Sequence, residues 1–425
     1  MKVAVIGTGI AGNVAAHHLH RDHDITVFEA NDYIGGHTCT VDVATDHGNL
    51  PVDTGFIVFN NRTYPNFVRL LDELDVPSQD SEMSFSVKQA APDFEYNGSN
   101  LDGLFAQRSN LLRPSFIRMI REILRFNREA PAWLESEDKS TTLGEYLVAG
   151  NYSAWFKQRY LIAMGAAIWS AKSDEMLAMP AHFFIRFFLN HGLLSLGDRP
   201  TWKVISGGSR EYVNKLVAAH RDRIRLNCPV ESVSRFADHV VVAAHGQPAE
   251  SFDAVFMACH SDQALRLLAD PSDDEQEVLG AIRYQHNQAI LHTDNSLMPV
   301  RRRAWASWNY HLSADGDERA TLTYHMNRLQ RLGAGQDYFV TLNSCRDIDA
   351  AKVIREVAYD HPVFTMEAVS AQQRKAEIDG ANRTYFCGAY WRYGFHEDGV
   401  ISALSALSKF NEVQGDAQQH LQRAS

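Results

Sequence analysis

The sequence predicts an α/β protein: a Rossmann-like dinucleotide-binding domain interrupted by an α+β insertion that forms a substrate domain. Three observations predict it. An apolar, β-branched strand at the N-terminus runs into a Gly-x-Gly-x-x-Gly turn and a helix. Strand-and-glycine segments of the same kind return near residues 202 and 384. A helical stretch lies before the first return, and strands rich in Trp, Tyr, His and Thr lie between the two.

The first element carries most of the weight. Lys2 to Ile6 reads as a strand buried on both faces, followed by Gly7, Gly9 and Gly12 and an Ala-rich helix through His20. The first glycine makes the turn, the second admits a pyrophosphate to the backbone, and the third lets helix pack on strand. Phosphates then sit at a helix N-terminus, on the free N–H groups of Ile10 and Ala11. A second strand, Ile25 to Phe28, ends at Glu29, seventeen residues past Gly12, where a carboxylate can accept from both ribose hydroxyls; Ala30 follows it. A further Gly-Gly pair, Gly35 and Gly36, precedes His37 and Thr38.

Composition bounds the rest. A chain of 425 residues, 45% hydrophobic and 22% charged, is long for one domain. Its net charge of -11 excludes a general nucleic-acid binder, whose affinity rests on Lys/Arg contacts to phosphate. No apolar run approaches the length of a membrane span, and the N-terminus opens directly on the cofactor strand, with no signal peptide expected. The five cysteines, Cys39, Cys228, Cys259, Cys345 and Cys387, lack metal or redox spacing and read as free thiols of a cytoplasmic protein. His17, His20 and His23 read as a solvated helix face, and no metal site is expected.

Residues 1–80, 200–275 and 366–425 are assigned to the dinucleotide domain, and 81–199 and 276–365 to the substrate domain. Thr54, Gly55 and Phe56 lie in a loop and strand after Asp53, and a helix opens at Pro65. Residues 81 to 200 read as mostly helical. Arg118, Arg121, Arg125 and Arg128 fall on one stripe of a helix there, near Arg108 and Arg113, as in helices that lie on anionic lipid or on an ordinary solvated face. The run His182 to Leu189 holds four phenylalanines, which fit either a tunnel for a long apolar substrate or a domain core. A strand, Gly207-Gly208 and a helix follow, then strands at 223–233 and 252–260. Arg301 to Arg303 read as a solvated turn. A last strand ends at Gly388, and Tyr393, Phe395, His396, Asp398, Gly399 and Val400 lead into a small-residue helix; the tail from Gln414 is expected to fray.

Gly35-Gly36 after Glu29, Thr54-Gly55-Phe56, Val230 in its strand, and Gly388 to Val400 resemble the flavin-containing amine oxidase superfamily, which also holds phytoene desaturases and protoporphyrinogen oxidase. The whole chain, including Ala304 to Tyr310, resembles a bacterial FAD-binding branch associated with cyclopropane-fatty-acid-type lipid modification. The resemblance implies non-covalent FAD. It places the pyrophosphate on the glycine turns and the adenine near Val230, and aims the last helix at the flavin pyrimidine. The sequence departs from the amine oxidases in several places, among them His260-Ser261 for a Pro-Pro pair and Tyr390 for an acidic residue. His37 stands where an arginine is usual, no lysine occurs between Lys215 and Lys352, and Phe395 replaces a cage tyrosine. The expected chemistry is hydride transfer from a C–H bond to flavin N5, with His396, Tyr393, Tyr324 and His325 as proton-acceptor candidates. Three functions follow: oxidation or desaturation of a hydrophobic, fatty-acyl substrate at a membrane surface, oxidation of a small amine or polyamine, or a redox-neutral reaction of the mutase type. The electron acceptor is left open.

Overall fold

The computed structural model describes residues 1–424 except 47, 92, 137, 196 and 313–319, with side chains described up to residue 415. Five short strands form one parallel sheet in the order Ile224–Arg225, Asp24–Phe28, Lys2–Ile6, Ala254–Met257, Thr384–Phe386. Parallel strands need crossovers, and crossovers cover both faces. Val3 and Val5 accordingly pack under the helices Ile10–Leu19, Arg210–Val217 and His396–Ala424. Ala4 and Ile6 point the other way, into a core shared with the antiparallel strands Val230–Arg235, Val240–Ala244 and Glu250–Phe252. Period-two alternation thus serves two cores from one strand.

The second body is a seven-stranded sheet ordered Val353–Pro362, Tyr284–His292, Phe339–Leu342, Thr321–His325, Trp308–Leu312, Phe85–Gln89, Phe94–Asn97. All its pairings are antiparallel except Trp308–Leu312 with Phe85–Gln89. Helices from Pro114–Trp133 to Ala181–Asn190 cover one face, packing on Val87, Phe94, Tyr96, Tyr310 and Leu322. The opposite face packs on Val43, Val52, Ile57 and Val204.

Several expectations change. The stretch 223–233 is two strands in two different sheets, because Asn227 turns with positive φ between them. Residues 81–200 are not uniformly helical: Phe85–Gln89 and Phe94–Asn97 are the edge of the large sheet. The hairpin strand Val353–Pro362 carries little apolar periodicity and was not expected. The last helix continues to Ala424; the expected fraying from Gln414 lies largely outside the described side chains.

Candidate active site

Two helix N-termini converge at the carboxyl edge of the parallel sheet, where ligands of such sheets bind. The helix Ile10–Leu19 starts at Gly9 with no side-chain cap and no acid in its first turn, so its leading N–H groups have no side-chain acceptor. Around Gly9 there is open space: a Cβ built there meets nothing within 4 Å. Gly12 is the opposite case, since a Cβ would lie 2.0 Å from the Gly7 carbonyl oxygen. The second glycine pair closes on the first, because a Cβ on Gly36 would come within 3.1 Å of Gly9 Cα. From the far end of the chain, Gly399 approaches Ile10 and Ala11 in the same way. The glycines therefore form a cradle with room and with donors, which is what a dinucleotide pyrophosphate requires.

Glu29 is buried at the end of its strand. One carboxylate oxygen accepts from Thr8 N at 2.9 Å and Thr8 Oγ1 at 2.5 Å, the other from Asn31 N at 2.9 Å and Asn31 Nδ2 at 3.0 Å. All four acceptor positions of the carboxylate are engaged. A ribose hydroxyl must exchange with one of these donors, and the exposed Asn31 amide is the partner freest to leave. Ala30 is exposed beside it and Val230 is half-buried. The chain at 227–228 is stitched to this strand end through Asn227 N to Asn31 O and Cys228 N to Glu29 O. Thr8, absent from the expected site, also receives Gly35 N through its hydroxyl at 3.2 Å, coupling the two glycine turns.

The loop Thr54–Phe56 is fixed by its neighbours. Thr54 Oγ1 lies 3.0 Å from the Tyr359 hydroxyl, and a Cβ on Gly55 would sit 2.1 Å from the His37 carbonyl oxygen. Phe56 stacks on His396 with ring centroids 3.5 Å apart. Just before the loop, the fully buried Asp53 accepts from Thr40 Oγ1, Ser209 N, Ser209 Oγ and Gln330 Nε2. Desolvation raises its pKa to about 6. Asp53 clamps three distant segments, and its partners cannot be read from local sequence.

In the closing motif, Gly388 N donates to Ser402 Oγ, and Tyr390 turns into the outer core against Trp391. Asp398 accepts from Tyr393 N and Phe395 N and lies 3.2 Å from Arg392. Burial raises its pKa to about 7. Glu397 accepts from Asn66 N, Asn66 Nδ2 and Phe67 N, capping the helix Pro65–Glu73. Val400 is core, against the first helix.

The four proton-acceptor candidates do not form one group. His396 Nε2 sits 3.0 Å from Thr38 Oγ1 and 3.1 Å from the Tyr212 hydroxyl, and burial lowers its pKa to about 3. Such an imidazole is neutral at neutral pH, and it stacks on Phe56 of the loop. His325 lies on the opposite face of its strand from Tyr324, bonded to Asp337 at 2.9 Å and packed on Phe339 and Trp305, which removes it from the site. Tyr324 packs edge-on to Trp308, and Tyr393 lies 4.6 Å from the Phe183 ring. Burial raises both phenols, so they enter as hydrogen-bond donors.

The Phe-rich run is part core and part wall. Phe184 and Phe188 stack inside the helical body at 4.2 Å. Phe183 and Phe187 meet the closing motif, Phe187 lying 5.2 Å from Phe395 and 4.7 Å from Trp169. The arginine stripe is largely spent within the domain. Arg118 pairs with Glu122 at 3.0 Å, Arg125 lies over Tyr152 at 4.0 Å, and Arg128 bonds Glu129. Arg301 is likewise tied to Glu95 and Asp93 and not merely solvated. His17 and His20 are half-buried instead of solvated: His17 Nδ1 meets Leu216 O and His20 stacks near His220. Among the described residues no group of side chains could hold a metal ion, and no helix is long and apolar enough to cross a membrane.

The fold is shared with known proteins. Residues 10–297 match the family model described as flavin containing amine oxidoreductase, which is more than half of the chain. A Mycobacterium tuberculosis protein named as a flavin-containing monoamine oxidase, AofH, is 27% identical over 263 residues, 59% of this chain and 55% of that protein. The chain thus spans about half the length of the curated relatives it matches. Among solved structures, cyclohexylamine oxidase from Brevibacterium oxydans IH-35A is similar with a TM-score of 0.71 at 15% identity, covering 97% of this chain and 99% of that one. A fatty acid isomerase from P. acnes that produces CLA gives 0.70 at 15% identity, covering 96% and 98%. Both likenesses are of fold. With the glycine cradle, the ribose acid and the closing helix in place, the chain belongs to the family of flavin-containing amine oxidoreductases.

Proposed function

We propose that the protein is an FAD-dependent oxidoreductase that takes hydride from a C–H bond of a hydrophobic, fatty-acyl substrate by desaturation or oxidation. The observation that carries this reading is the wall of Trp169, Phe183, Phe187, Tyr393 and Phe395, aromatic throughout and continuous with the closing motif. FAD, when bound without a covalent link, supplies the hydride acceptor at N5. Gly7, Gly9, Gly12, Gly36 and Gly399 would hold its pyrophosphate side. The wall orients an apolar chain and excludes water. Tyr393 and Tyr324 offer phenols that orient a substrate oxygen and give no strong base.

A second reading, oxidation of a small amine, draws on the name of the mycobacterial relative. Against it, the acids nearest the wall, Asp398 and Glu397, are committed to backbone N–H groups and leave no carboxylate for an ammonium. The discriminating experiment is anaerobic mixing of the holoenzyme with acyl phospholipid micelles or with an amine panel. Bleaching of the oxidised flavin by the acyl lipid is expected. Bleaching by amines alone overturns the proposal, and isomerised lipid with no net bleaching transfers it to the redox-neutral class.

A lipid substrate implies peripheral contact with a membrane. The support for such contact is a cluster of bare aliphatic side chains: Leu101, Leu111, Leu112 and Val300 are 75%, 53%, 87% and 78% exposed. They are neighbours because Asp102 joins Arg108 at 2.5 Å and Arg303 at 3.6 Å, while Asp93 joins Arg301 at 3.2 Å and accepts Arg113 through its carbonyl. Bulky apolar tips set among arginines suit an anionic lipid interface.

A further inference from the structure

The turns that cradle the pyrophosphate are flanked by histidines that come from both bodies of the protein. His37 follows Gly36, which packs on Gly9. His260 leaves the sheet beside the first glycine turn, since strands Lys2–Ile6 and Ala254–Met257 pair and a Cβ on Gly7 would lie 2.8 Å from Ala258 O. The rings of His37 and His260 are 6.1 Å apart. The hairpin strand Val353–Pro362 brings His361 to 5.4 Å from His37 and stacks Tyr359 on it at 4.9 Å. Tyr284 stacks on His260 at 4.2 Å from the adjoining strand. His37, His260 and His361 are each half-buried although they lie deep between the two bodies, so they line a cleft that solvent can reach.

The other charged and titratable groups facing this cluster offset its burial only in part, Asp360 and Asp262 favouring the protonated rings. Asp360 offers its backbone oxygen to His37, while its carboxylate bonds His286 at 3.0 Å. Asn287 Nδ2 meets His361 Nδ1 at 3.1 Å. On the following helix Asp262 and Arg266 bond each other at 2.7 Å, and both act on His260. His396 adds a further neutral imidazole. Burial lowers all three, pushing His37 well below the ordinary histidine value and His361 to about 4, and neighbouring imidazoles add to it at His37 and His361. Burial keeps the three imidazoles neutral, and an anion placed beside them would raise their affinity for a proton.

We infer that His37, His260 and His361 form the anion-receiving side of the FAD cradle, and that binding of the FAD diphosphate is accompanied by uptake of a proton from solvent onto this cluster. The diphosphate stays fully ionised through the neutral range, so the proton resides on imidazole. Binding that takes up a proton strengthens as pH falls, between the pKa of the free cluster and its higher value in the complex. The inference rests on the family's cofactor and not on the proposed substrate.

The test is equilibrium ultrafiltration of the holoenzyme across neutral pH, reading free FAD, with circular dichroism checking that the fold persists. Wild type is expected to release FAD more readily as pH rises, approaching about tenfold in Kd per pH unit for one proton. His37→Arg, whose charge is fixed, is expected to retain FAD with a nearly flat pH dependence. His37→Gln combined with His260→Gln and His361→Gln is expected to bind weakly with a flat profile while circular dichroism stays unchanged. A flat wild-type profile overturns the inference. So does a slope that survives in the triple glutamine variant, or a His37→Arg variant that loses FAD at every pH while the glutamine variant keeps it.

Discussion

Gly399 at the start of the closing helix sits directly against Ile10 at the start of the phosphate-loop helix: a Cβ there would lie 2.6 Å from Ile10 Cγ2. Residues nearly a chain-length apart thus bring two helix N-termini to one point, where their partial positive ends add. Gly399→Ala should force Ile10 aside, cost about 1–3 kcal/mol, and lower the flavin bound per chain. The ratio of flavin to protein absorbance and the thermal midpoint check this. Full occupancy with an unchanged midpoint would show that the contact is not needed.

Asp53 is the second junction. Its carboxylate satisfies hydroxyl, backbone and amide donors from Thr40, Ser209 and Gln330. Asp53→Ala strands these donors in a buried site, and a loss of about 1–3 kcal/mol per donor left unpaired is expected in urea unfolding. Flavin occupancy should fall with it, because Thr54–Phe56 loses its anchor.

His396 is a positioning residue. His396→Gln should reduce FAD retention while the shape of the kcat/KM pH profile stays as in wild type. Disappearance of an ionisation near neutral pH in this variant would instead identify His396 as an acid or base.

Stability should depend on pH through buried histidines. Burial brings His191, His292 and His361 to about 4, and His311 and His396 to about 3. These folded-state values lie below the unfolded value near 6.5, so the stability they give is complete above about pH 6.5 and is lost as pH falls toward 3–4. Asp53 and Asp398 act oppositely: raised to about 6 and about 7, their contribution is complete below the unfolded value near 3.8 and is lost as pH rises through 6 and 7. The histidines outnumber the two acids, so the urea midpoint should drop between pH 6.5 and 5. Asp398→Asn should raise stability at pH 8 relative to wild type.

Membrane contact should follow the aliphatic tips and not the helix stripe. Leu101→Glu with Leu112→Glu is expected to abolish sedimentation with anionic vesicles, while Arg121→Gln changes it little. Wild-type protein that stays in the supernatant would remove the lipid surface from the proposal.

Much of the site was legible where chemistry is local. The turn Gly7 to Gly12, the acid Glu29, the pair Gly35-Gly36 and the entry Gly388 to Gly399 each announce themselves, because a turn or a helix start is specified by neighbouring residues. Reading broke down where one side chain has two faces to choose from. Tyr324 and His325 are adjacent and looked equivalent, yet the pleat sends His325 to Asp337, away from the site. The arginine spacing of Pro114–Trp133 encodes a helical stripe with Glu122 as the local i+4 partner of Arg118, but Tyr152, which Arg125 covers, is brought there by packing.

By itself the sequence determined the cofactor domain, its parallel strands and the glycine contacts that admit a dinucleotide. Steric exclusion of a Cβ and the free N–H groups of a helix end operate within a few residues. The tertiary structure alone decided which distant groups meet: Gly399 with Ile10, Asp53 with Ser209 and Gln330, and His361 with His37 and His260. Those meetings depend on desolvation and on strand register across two bodies, which no local pattern of residues encodes.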